Sequence, residues 1–150
     1  MAANQSNSNF VYASTTGGIY SSIDKGKNWQ KINNTLFGDN NTRAMVTDIG
    51  IAPEGKTVYA FVAPSQMNNE NRSGYIIKSA DGAKTWTKTD GQINGAIHIS
   101  KFAFGNNGEI YTALIQDSPQ TGVTASVFSS DDGGNTWFLQ GTNNKSVAEV

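Results

Sequence analysis

Short apolar runs separated by clusters of Gly, Asn, Asp and Ser dominate the chain, and inside the runs apolar and polar residues alternate with a period of two. That period belongs to strands with one buried face, and the clusters supply turns. Three such runs, at 18–21, 74–78 and 126–129, each lead into an eight-residue segment that begins with Ser and ends with Trp, at 22–29, 79–86 and 130–137. A short run follows each of them, at 29–32, 86–88 and 137–139. Strand, tight turn, strand is the expected local structure.

Inside the three segments the spacing is identical. Ser22, Asp24, Gly26 and Trp29 are matched by Ser79, Asp81, Ala83 and Trp86, and by Ser130, Asp132, Gly134 and Trp137, so all three tryptophans of the chain occupy one repeat position. An Asp so placed accepts hydrogen bonds from backbone N–H groups a few residues on, and Gly supplies the positive φ that closes the turn. The Trp then buries a large ring beside it. Ala83 stands where the other copies have Gly, and Asn28 where they have Thr, so distortion is expected at Ala83. Upstream of each turn runs a strand with an aliphatic-Tyr pair: Val11-Tyr12, Val58-Tyr59 and Ile110-Tyr111. A further strand precedes it at 46–51 and 99–104, but none is visible ahead of the first repeat. Four strands in a unit of about 50 residues make a propeller blade. The expected organisation is a disordered lead-in at 1–9 and three blades at about 10–33, 44–90 and 97–140. A strand at 146–150 would complete a blade. The fold class is all-β: three four-stranded antiparallel meanders, half of a six-bladed propeller or a propeller fragment.

The pattern Ser-x-Asp-x-Gly-x-Thr-Trp resembles the Asp box, or BNR repeat, of sialidases, xyloglucanase-type glycoside hydrolases and sortilin-like receptors, and the likeness covers residues 10–140. In those families the box lies between the third and fourth strands of a blade, on the rim away from the ligand pocket. The resemblance therefore implies that Asp24, Asp81 and Asp132 are scaffold.

Loop lengths indicate the other rim as the place for function. From the Tyr of the second strand to the Ser of the turn is 10 residues in the first repeat, 20 in the second and 19 in the third, whereas Ser to Trp is always 7. In an up-and-down meander the connections after strands two and four share one edge, and variable insertions on one face of a repeat protein mark its binding face. That face comprises 33–44, 63–74, 89–98, 116–124 and the tail from 141. Its chemically capable residues are Asp39, Arg43, Glu70, Arg72, Asp90, His98 and Asp117, with Phe37, Gln66 and Met67 as further contacts. Asp48 and Lys101 share one position of the inner strand, where an inter-blade ion pair is expected because a buried charge needs a partner.

Charge and composition narrow the classes. Eleven basic against twelve acidic residues, with no Lys/Arg run, give no footprint for nucleic acid. No apolar run approaches the ~18 residues of a membrane span. There is no cysteine, and no phosphate-loop, zinc or calcium motif, so no cofactor is expected. The first residues lack the pattern of a signal peptide, and a secreted, periplasmic or cell-surface protein is expected on resemblance. A non-catalytic module binding a glycan or a protein partner is the leading reading. A xyloglucanase-like glycoside hydrolase fragment and an assembly scaffold are the alternatives. A sialidase site within the chain is excluded: that family grips its substrate with three arginines, and Arg43 and Arg72 are the only two here. Three blades are too few to close a ring, which predicts either a homodimer closing six blades or the remainder of a longer propeller.

Overall fold

The computed structural model describes residues 1–3, 7, 9–32, 45–63, 73–89, 93, 95–118 and 122–143. Among these residues the chain forms strands only: β1 (Ala2–Ala3), β2 (Val11–Thr15), β3 (Gly18–Ser22), β4 (Gln30–Ile32), β5 (Met45–Ile51), β6 (Val58–Ala63), β7 (Tyr75–Ser79), β8 (Thr87–Lys88), β9 (Ala96–Phe104), β10 (Ile110–Ser118), β11 (Gly122–Ser130) and β12 (Phe138–Asn143). They make three four-stranded sheets, β1 to β4, β5 to β8 and β9 to β12, each with its strands in sequence order and antiparallel. The expected meanders are present.

One expectation changes. The first repeat has its inner strand, because Ala2 and Ala3, within the stretch expected to be a disordered lead-in, pair with Tyr12 and Val11. Two small residues suffice for this short ladder, and so brief a stretch leaves no alternation to read. The strand expected at 146–150 lies outside the described residues.

The sheets pack face on face. Tyr12 and Ile19 of the first sheet are buried with Val46, Ile49, Val58, Ala60, Val62, Ile77 and Trp86 of the second. Tyr59, Phe61, Ala63 and Ile76, on the opposite face of the second sheet, are buried with Ile99, Phe102, Ile110, Leu114, Phe128 and Trp137 of the third. Every residue of β6 is therefore buried. Each fully covered Val or Ile contributes about 1.5–3 kcal/mol, so these two seams hold the sheets together.

The three repeat turns are alike in detail. The Ser hydroxyl accepts the N–H four residues on at 2.8 Å in all three copies, from Gly26, Ala83 and Gly134. It donates to the Asp carboxylate at 2.7, 2.8 and 2.9 Å. The carboxylate in turn accepts the N–H and side chain of Asn28, Thr85 or Thr136. Ala83 does not distort its turn: it adopts φ of 68° beside 85° for Gly26 and 87° for Gly134. The shared hydrogen bonds and burial of its methyl group outweigh a left-handed cost of roughly 1–2 kcal/mol. Lys25 takes the same region, with φ of 64°, where the other copies have Gly82 and Gly133.

The second and third turns also each receive a tyrosine from the preceding sheet. The Tyr12 hydroxyl donates to the Gly82 carbonyl at 3.1 Å, and the Tyr59 hydroxyl to the Gly133 carbonyl at 3.0 Å. Lys78 Nζ donates to that second carbonyl at 2.7 Å and lies 5.8 Å from the Tyr59 ring centroid. Burial, reinforced by Glu54 and Asp132, pushes the Tyr59 hydroxyl up to about 12. Burial raises that of Tyr12 too, with Asp81 adding to it. Both stay protonated donors at any ordinary pH.

Hydrogen bonds from the N–H and side chain of residue 28 hold the Asp24 carboxyl at about 2, and bonds from the Thr136 side chain and N–H do the same for Asp132. Asp81 is lowered further by the N–H and side chain of Thr85. A carboxylate depressed in the folded state stabilises above its unfolded value, 3.8 here, and loses that contribution as pH falls through the folded value. Denaturant unfolding free energy should therefore fall steeply between about pH 4 and pH 2, and Asp81→Asn should flatten that slope. Lys25→Gly should raise stability by about 0.5–1 kcal/mol in the same measurement, by relieving the left-handed backbone.

Candidate functional site

The two edges of the sheets differ in kind. At one lie the repeat turns and the β5–β6 and β9–β10 turns, the latter two closed by local bonds from the Ala52 N–H to the Thr57 carbonyl at 2.9 Å and from the Gly105 N–H to the Glu109 carbonyl at 2.8 Å. At the other lie the β2–β3 connection and, among the described residues, the ends of the second and fourth strands of the later sheets. The first is a two-residue turn at 16–17, in which the Thr15 hydroxyl accepts the Gly17 N–H and donates to the Gly18 carbonyl, both at 3.0 Å.

At this edge the third sheet departs from the loop expected in sequence. Residues 116–124, expected as a loop, are largely strand: the β10–β11 ladder continues through Gln116↔Thr124 and Asp117↔Val123 to Ser118↔Gly122. β-branched Ile115, Val123 and Thr124 favour extended backbone there. β9 and β12 lengthen with it, reaching Ala96 and Asn143. Among the described residues, β10 and β11 of the third sheet run to nine residues each, against five or six in the second and third strands of its neighbours.

Bulges mark the inner strands. In β5 the register jumps from Val46↔Val62 to Asp48↔Phe61, leaving Thr47 as the extra residue. In β9 it jumps from Ile99↔Leu114 to Lys101↔Ala113, leaving Ser100, the equivalent position. A second irregularity leaves Ile97 unpaired beside His98. Bulges re-aim side chains and concentrate next to functional sites. The Thr47 hydroxyl is buried without a partner among the described residues. Asp48 accepts the Phe102 N–H at 2.9 Å, and burial raises its carboxyl against the pull of that bond. The expected Asp48–Lys101 ion pair is not formed: Lys101 is exposed and is the weakest influence on the carboxyl, because the bulge hands Asp48 to the neighbouring backbone instead.

Two further bonds stitch the second and third sheets at this edge. The Gly74 N–H donates to the Ala96 carbonyl at 2.6 Å, and the Gly95 N–H to the Ser73 hydroxyl at 2.8 Å. Gly74 is required by close approach, since a Cβ there would overlap the Phe61 ring and the Val62 carbonyl. In sequence Gly74 opens the apolar run 74–78 without an assigned role, and a Gly within a strand pattern is a sign of such an approach.

Of the residues singled out in sequence, Asp39, Arg43, Glu70 and Arg72 lie outside the described residues, as do Phe37, Gln66, Met67 and Asp90. His98 is exposed on β9 opposite Ile115, and the Asp117 backbone stands two positions farther along β10, opposite Val123. The structure thus brings His98 and Asp117 to one end of the third sheet. Among the described residues no three His, Asp or Glu side chains are grouped to hold a metal ion.

No family model and no curated protein matches the chain. Solved structures do. An ancestral GH74 enzyme matches with 23% identity over 93% of this chain and 18% of its own, at a TM-score of 0.60. The GH74 xyloglucanase of Xanthomonas campestris matches with 14% identity over 91% of this chain and 29% of its own, at 0.57. YCF48 bound to D1 peptide matches with 13% identity over 92% of this chain and 38% of its own, at 0.58. The chain therefore spans well under half the length of these proteins. At such identities the likeness establishes the fold, that of a β-propeller, with the three sheets as blades. Gly74→Ala should destabilise the chain by about 1–3 kcal/mol through overpacking at the seam, read as a lowered urea midpoint.

Proposed function

We propose that the chain is a non-catalytic β-propeller module that binds a glycan or a protein partner on the face opposite the repeat turns, and that the turns are Asp boxes serving as scaffold. The observation that carries this reading is the contrast between the edges. The three repeat turns share one hydrogen-bonding scheme, while the opposite edge carries a two-residue turn in the first blade and a heightened hairpin in the third. Uniform turns answer a requirement of the fold. Irregular connections on a rigid scaffold are where binding surfaces arise.

The face would draw its polar contacts from Asp39, Arg43, Glu70, Arg72, His98 and Asp117. A propeller of the same fold is described as a xyloglucanase and another as bound to a peptide, which supports both ligand classes as occupants of such a scaffold. A secreted, periplasmic or cell-surface location belongs to the same reading.

Calorimetric titration with xyloglucan oligosaccharides tests the glycan arm, and titration with peptides tests the other. Arg72→Ala and Glu70→Ala should each weaken the bound ligand about tenfold or more by removing a charged hydrogen-bonding partner. Unchanged affinity in both variants would remove that loop from the site. Release of reducing sugar that one carboxylate substitution abolishes would overturn the non-catalytic reading.

A further inference from the structure

The two internal seams use the same contacts, and the two outer faces of the chain carry the unmatched halves of a third. On the face that each blade turns toward the next, Tyr12, Tyr59 and Tyr111 are equivalent, as are Ile19, Ile76 and Val127, by their places in the β2–β3, β6–β7 and β10–β11 ladders. Tyr12 and Tyr59 are 4% and 3% exposed, and Ile19 and Ile76 0%. Tyr111 and Val127 are each 42% exposed. The Tyr111 hydroxyl makes no hydrogen bond to any described residue, whereas its two counterparts each donate to a turn carbonyl.

The opposite face of each blade receives that contact. Val58, Ala60 and Ile77 are completely buried in the second blade, with Trp86 6% exposed. In the first blade the equivalents Val11, Ala13 and Tyr20 are half-buried, and Trp29 is 40% exposed. The Lys25 carbonyl occupies the position of the Gly82 and Gly133 carbonyls that accept the tyrosines, and Lys25 shares their left-handed backbone, with φ of 64° beside 72° and 73°. A tyrosine donor and an apolar face thus stand at one end of the array, and an acceptor carbonyl and a tryptophan at the other.

We propose that a second copy of this chain covers these faces head to tail, the third blade of each protomer packing on the first blade of its partner, with the Tyr111 hydroxyl donating to the Lys25 carbonyl across the contact. The contact is heterologous, and two of them close a ring of six blades without strand exchange. The second copy is the occupant because the two faces are complementary to each other through the contact that already joins the blades internally. Exposed apolar faces of this kind mark association surfaces.

Sedimentation equilibrium of the chain over a concentration series should give twice its 16.0 kDa. Tyr111→Phe should weaken the dimer about tenfold for each contact, the effect of one hydrogen bond. Val127→Lys and Ala13→Lys, each at an unpaired face and checked by circular dichroism for retained β structure, should each abolish the dimer, and mixing the two should restore a heterodimer through the one intact contact. A chain that stays at 16.0 kDa throughout, or a dimer indifferent to Val127→Lys, Ala13→Lys and Tyr111→Phe, overturns the proposal. A dimer lost in only one of the lysine variants would show a symmetric contact and overturn it as well.

Discussion

A four-stranded meander has two broad faces, and among the described residues no helix lies on either, so each blade depends on its neighbours for cover. The second blade shows the condition met: β6 is buried along its whole length, with one set of alternate residues turned to the first blade and the other to the third. Everything else follows from how the blades are held at that spacing. Apolar burial supplies the attraction but little direction. Direction comes from the tyrosine hydroxyls, which fix one blade's second strand to the next blade's turn, and from the Asp48 and Gly74 bonds nearer the opposite edge.

The repeat turns can serve as docking points because they are internally complete. Ser, Asp and the residue four beyond it satisfy one another and the turn N–H groups, so the carbonyl at position 82 or 133 is left free to accept from the neighbouring blade. This completeness also explains why Lys25 and Ala83 tolerate backbone that suits glycine: the hydrogen bonds over-determine the conformation, and strain at one residue is spread over a cooperative unit.

Much of this was legible in sequence. The fixed positions of Ser22, Asp24 and Trp29 and of their copies reveal blades because turn chemistry is local, and the recurring aliphatic-Tyr pairs Val58-Tyr59 and Ile110-Tyr111 mark the second strands, although β6, buried on both faces, shows no alternation. What sequence could not supply depended on partners distant along the chain. β1 is too short to carry a period, and the bulges at Thr47 and Ser100 depend on which strand lies alongside. Asp48 reads as half of an ion pair until the neighbouring backbone is in place. The hairpin at 116–124 was misread for another reason: insertion length shows that residues were added, not whether they extend a ladder or loop out of it. Of the candidate face, unequal spacing singles out one edge because it records where residues were added, whereas residue type alone assigns no partner to Asp39, Arg43, Glu70 or Arg72, which lie outside the described residues.

The tyrosine contacts have a sense of direction, since each runs from a blade to the one that follows it and never back. Cooperativity in such an array is close to that of a one-dimensional chain of units coupled only to nearest neighbours. The middle blade is coupled on both sides. A turn loosened in one blade is felt by the blade before it through the lost hydroxyl acceptor, while the blade after it keeps its own. Disturbance thus travels toward the amino terminus more readily than away from it, giving the array a polarity that its near-identical repeats would not by themselves possess.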